Sequence, residues 1–218
     1  MSFESLNASD GAEGERRWNE AGRPVVPSLL VDGETTPVLH VSQIAEALGL
    51  PPVPGGPPER NGAEAAAILD AWLADIRGVE PEALLLPTPS RGRTPSNLTV
   101  NVFHPFELLP AAWQSGGFPW HPQEDDDRER GLGDRGGLLA FAAETAAGWR
   151  RFLDVEDLTA RDPLVDTSRG PVRFSALVAF QRWHAAYHYR QLVHAIGDGP
   201  GRLDLEPFDD LVLPREVF

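Results

Sequence analysis

Residues 174–200 read FSALVAFQRWHAAYHYRQLVHAIGDGP, and this stretch decides the fold. Phe174, Leu177, Val178, Phe180, Gln181, His184, Tyr187, His188, Gln191, Leu192 and Ile196 recur at helical spacing, which predicts a long helix over 172–197. Gly197-Asp198-Gly199-Pro200 ends it. His184 and His188 are four apart and therefore share one face. Leu177, Gln181 and Gln191 lie on the same stripe, so that face is expected to point inward. Two imidazoles on successive turns can chelate one divalent ion. Buried without a metal, each ring would need hydrogen-bond partners. The bland alternative is a capped or solvent-facing pair, and the zincin pattern is absent because Ala185 follows His184.

Three further helices are predicted upstream. One covers roughly 63–77, with Ala67, Ile68, Ala71, Trp72 and Ile76 in phase. A second lies in 94–113, opened by Thr94-Pro95 as cap and first turn. Pro105 is expected to kink or divide it, and Pro110 adds a second break. A third covers about 134–153, capped by Asp134. The connection 114–133 (QSGGFPWHPQEDDDRERGLG) is long, and its acidic run Glu124–Asp127 lacks calcium-loop spacing and reads as a solvated loop. The pattern is that of a mainly α chain, a four-helix bundle with one long crossover.

Residues 1–60 differ in texture. The first 14 read as a flexible acidic lead. Val25–Val31, the turn Asp32-Gly33 and Thr36–His40 predict a hairpin. Ser42 can cap a short helix, Gln43–Leu48. A Pro/Gly-rich linker, 51–62, follows, so the chain divides into a 1–60 extension and a 61–218 bundle with a C-terminal tail.

Composition narrows the chemistry. The chain has 218 residues, 19 Lys plus Arg (all Arg) and 33 Asp plus Glu, for a formal charge of −14. That balance opposes binding to nucleic acid. Absence of Lys removes Schiff-base chemistry, and absence of Cys removes disulfides, thiol nucleophiles and dithiol redox centres. No apolar run is long enough to span a bilayer, and Met1–Glu20 has no hydrophobic signal region, so a cytoplasmic location is expected. Tyr187 and Arg190 flank the imidazole pair. Tyr187 is either a hydrogen-bonding site residue or a half-buried bundle aromatic; Arg190 binds a ligand carboxylate or pairs with another helix. His121, in GFPWHPQEDDD, reads as a loop histidine, His40 as a turn histidine, and His194 turns to another face.

The bundle pattern together with WHAAYHYRQL resembles the DinB/YfiT-like superfamily of metalloenzymes over residues 60–198. The resemblance implies a divalent ion, zinc first and nickel, iron or manganese as alternatives, held by His184 and His188 with a third histidine from the second helix. That third position maps onto His104, with His121 the competitor, and the family's glutamine onto Gln191. Pro105, directly after His104, departs from the expected helical context. The implied activity is transfer or exchange of a low-molecular-weight thiol, mycothiol-like, on a small-molecule metabolite, with Tyr187, Arg190 and Gln191 at the site and a homodimer as an associated state. The alternatives are a non-catalytic or structurally metallated dimeric binding or stress module, and a metal-dependent hydrolase or isomerase. GRPVVPSLLVDG with TPVLH is, in addition, similar to the C-terminal half of a thioredoxin or glutaredoxin fold without the redox motif.

Overall fold

In a computed structural model of the chain, the described residues are 11–22, 28–38, 41–51, 56–88, 92–121, 124–197 and 200–205. His40, the start of the predicted first strand at Val25–Pro27 and most of the predicted tail, 206–218, lie outside them. The chain is mainly helical. In order it forms α1 (Gly11–Glu20), β1 (Ser28–Val31), β2 (Glu34–Pro37), α2 (Val41–Ala47), α3 (Pro58–Gly78), a 3-10 turn (Ala83–Leu85) and α4 (Pro95–Ser115). Then come β3 (Gly117–Phe118), α5 (Asp125–Leu132), α6 (Arg135–Val155), β4 (Leu164–Thr167), β5 (Gly170–Arg173) and α7 (Phe174–Ile196). No helix among the described residues is long and apolar enough to cross a membrane.

The four long helices pack as a ring. α3 touches α7 and α6, and α4 touches the same two from the other side. Trp72, Trp113, Trp149, Phe103, Phe106 and Tyr189 fill the interior. Two predicted caps are realised: Thr94 accepts from the Asn97 amide and Asp134 from the Gly137 amide. α7 has a borrowed cap, because Asp162 accepts from both the amide and the hydroxyl of Ser175.

The structure departs from the sequence reading in several places. α1 begins inside the predicted flexible lead 1–14, and α3 begins at Pro58, inside the predicted 51–62 linker and ahead of the expected boundary at 60. α4 runs unbroken through Pro105 and Pro110. Each proline removes one donor, leaving the Asn101 and Phe106 carbonyls without their helical partners. The buried row Leu98, Val102, Phe103, Phe106, Leu109 and Trp113 holds the helix through both gaps. The acidic run is not a solvated loop but the first turn of α5, with Asp125 buried. A strand hairpin, β4–β5, also forms, and β3 joins it in parallel, Phe118 opposite Thr167. This small sheet delivers Trp120 and the turn Ser168-Arg169 to the bundle end where the histidines sit. Gly170 closes that turn in the left-handed region (φ 87°).

The chain after α7 is clasped down. Asp75, buried on α3, accepts from the Tyr189 hydroxyl at 2.7 Å and from the Gly201 amide at 2.6 Å. The Leu203 amide donates to the same hydroxyl. Burial, and then the bond to Asp75, push the Tyr189 phenol well above its ordinary value. Gly201 lies so close to α3 that a Cβ there would stand 2.1 Å from the Ala71 carbonyl oxygen.

Candidate metal centre

α7 brings His184 and His188 together as the helical spacing requires. Their ring centroids are 4.6 Å apart and the rings are nearly perpendicular, at 89°. His184 is buried between rings, stacked on Phe180 (5.9 Å, 10°) and tilted against Trp120 (5.5 Å). Both predictions for that face hold: it points inward, and Gln181 and Gln191 are buried on it.

Hydrogen bonds set which nitrogen of each ring carries a lone pair. Asn101 on α4 donates through Nδ2 to Asp125 Oδ2 (2.6 Å) and accepts at Oδ1 from Arg93 Nη1 (3.0 Å). That fixes its amide, so His184 Nε2, 3.2 Å from the same Oδ1, must donate. His184 Nδ1 then holds the lone pair, and it is buried with no hydrogen-bond partner. His188 Nδ1 lies 2.6 Å from Gln191 Oε1, so it donates and leaves the lone pair on Nε2. His104 Nδ1 lies 3.0 Å from Asp125 Oδ1. This is the carboxylate–imidazole pairing that orients metal ligands, and it too leaves Nε2 as acceptor when Asp125 is ionised.

The donor chemistry therefore fits a divalent ion at the α7 pair. The third nitrogen is not assembled beside it. Among the described residues no three His, Asp or Glu side chains stand together as one ligand set. Among the described residues, His104 is linked to His184 through Asp125 and Asn101. His121 is half-buried, and its ring has no hydrogen-bond partner among the described residues. Tyr187 is half-buried, stacked on Trp183 (5.5 Å, 3°) and edge-on to His188 (5.2 Å, 64°). Arg190 is half-buried on the same helix.

Several neighbours escaped the sequence reading. Asn101 could have been found as the polar residue one turn before His104. Asp125 and Trp120 could not, because their roles depend on how α5 and the sheet fold back. Gln181 is fully buried one turn before His184, and neither atom of its amide has a partner. A buried amide left this way implies a polar occupant near α7's inward face.

Burial holds the His184 imidazole well below the ordinary histidine value, helped by the positive charges of His188, Arg93 and Arg169. The unfolded chain then takes up a proton that the folded chain refuses, so stability falls as pH drops below the unfolded value. We expect metal-free protein to lose up to about 1.4 kcal/mol per pH unit in urea unfolding between about pH 6.5 and the lower folded value. His184→Leu should flatten that slope, and an unchanged slope would contradict the assignment.

The chain matches no protein-family model, and no curated protein or solved structure matches it.

Proposed function

We propose that this chain is a divalent-metal-dependent enzyme of DinB-like type that transfers or exchanges a low-molecular-weight thiol on a small-molecule metabolite. The observation that carries the metal part is the buried, partnerless Nδ1 of His184 beside His188, whose tautomer turns Nε2 into an acceptor. His184 and His188 would hold the ion, zinc in the first instance; the resemblance implies His104 as the third ligand, and its ring stands apart from the pair, reaching it through Asp125 and Asn101. When bound, such an ion lowers the pKa of a coordinated thiol or water. The thiol assignment rests on the resemblance of the α7 motif.

The residues around the pair have definable tasks. Gln191 fixes the tautomer of His188. Asn101, itself fixed by Arg93 and Asp125, fixes that of His184. Phe180 and Trp120 exclude water from the His184 ring. The Tyr187 ring stands edge-on to His188, and in this reading its hydroxyl would hydrogen-bond a ligand while Arg190, one turn on, would meet a thiol's carboxylate.

The test is metal uptake by chelator-stripped protein offered one equivalent of zinc or nickel, read by elemental analysis and titration. Wild type should bind one ion, His184→Ala and His188→Ala should abolish binding, and Gln191→Leu should weaken it about 10–100-fold. Unchanged uptake in His184→Ala removes the basis of the reading. A thiol that shifts the melting temperature only of metal-loaded protein supports the transferase assignment; no thiol effect favours the binding module.

A further inference from the structure

Arg169 sits in the β4–β5 turn, half-buried. Its Nη1 reaches the Val38 carbonyl at 3.4 Å, and its own carbonyl accepts from Gln43 Nε2 at 3.1 Å. The N-terminal hairpin and α2 therefore hold it from outside. On the inner side, the neighbouring Ser168 hydroxyl contacts the Trp120 carbonyl at 3.5 Å, and the Trp120 ring lies against His184. The turn that carries the guanidinium is thus tied to the N-terminal segment on one side and, through Ser168 and Trp120, to the side of the bundle where His184 lies on the other.

What it lacks is an anion. The chain carries 33 Asp and Glu, yet no carboxylate among the described residues pairs with Arg169. Its Nε and Nη2 have no hydrogen-bond partner among those residues, and that edge of a guanidinium is one that grips a carboxylate with two parallel bonds. Burial without a counter-charge pushes Arg169 below the ordinary arginine value, and Arg169 in turn depresses His184. A partly desolvated cation is costly unless something negative joins it. Arg93, bonded to the Asn101 that also touches His184, adds a second positive charge to the same end of the bundle.

We propose that Arg169 binds the carboxylate of a small-molecule ligand and seats that ligand at the His184–His188 pair. The inference rests on the proposed site and gives its substrate class, a carboxylate-bearing small molecule.

The experiment uses the full chain, stripped of metal with chelator, and titrates succinate and its neutral counterpart succinamide by calorimetry. Wild type should bind succinate and ignore succinamide. Arg169→Gln should weaken succinate by at least about tenfold, the loss of one charge-assisted bond. Arg151→Gln, an exposed arginine of α6, should bind as wild type does. Absence of succinate binding, equal binding of the two probes, or wild-type affinity in Arg169→Gln each overturns the proposal. Should Arg169→Gln fail to fold, the two-probe comparison on wild type decides. Metal uptake is measured separately: protein that binds succinate but takes up no ion refutes the metal reading alone, and protein that binds the ion but not succinate refutes this one alone.

Discussion

Glu64→Gln is expected to destabilise the protein by about 3 kcal/mol or more, the range for removing one partner of a buried ion pair. Glu64 on α3 approaches Arg182 Nε of α7 at 2.7 Å, and the Arg182 side chain is only 3% exposed. The approach lies off the N–H axis, so it is an ion contact rather than an aligned hydrogen bond. Asn61 accepts from the other arm of the same guanidinium at 2.5 Å. Gln keeps the volume and hydrogen-bonding capacity of Glu but withdraws the charge, so the variant isolates the electrostatic part. Urea unfolding should show a lower midpoint with an unchanged slope. The double variant Glu64→Leu with Arg182→Met should recover most of the loss, since neither charge then remains to be desolvated. A single variant as stable as wild type would show that the Glu64 charge contributes nothing to the contact between α3 and α7.

Trp149→Ala carries a comparable cost, about 3–5 kcal/mol. Trp149 is fully buried on α6, stacked on Phe152 at 5.2 Å and edge-on to Phe106 at 5.4 Å. Its Nε1 donates to the Gly62 carbonyl of α3 at 3.1 Å. The two helices approach closely there, and a Cβ on Gly62 would stand 2.7 Å from Leu153 Cδ2. Trp149 also walls a cavity of about 470 Å³ that Phe106, Phe141 and Arg128 help line. Deleting the indole enlarges a space that is already open, so collapse cannot recover the lost contacts and the cost should fall at the upper end. Trp149→Phe keeps a ring and drops the hydrogen bond, and should cost about 1 kcal/mol more than loss of area alone. Thermal and urea unfolding of both variants check this; a Trp149→Ala loss no larger than that of Trp149→Phe would contradict the packing argument.

The helices were legible because their apolar residues recur in phase and their ends carry recognisable chemistry, as at Thr94, Asp134 and Gly197. The inward aim of His184 and His188 was legible for the same reason. What escaped was decided at long range. The acidic run 124–127 has no apolar stripe, and its helix exists because Asp125 meets His104, Asn101 and Trp120 across the molecule. Pro105 and Pro110 argue locally for a break, and tertiary burial of α4 overrides them. Arg169 sits in a turn with no local signature, and only the folded sheet carries it to the bundle's polar end. His104 fell on the expected helix, yet its engagement with Asp125 could not be read from spacing.

The turn at Ser168-Arg169 is gripped from two directions, by Trp120 on the bundle side and by Val38 and Gln43 on the other. The segment after the N-terminal hairpin and α2 are therefore fastened to the β4–β5 turn. All three contacts end on the same turn, so the N-terminal segment and the indole that lies against His184 share one point of attachment.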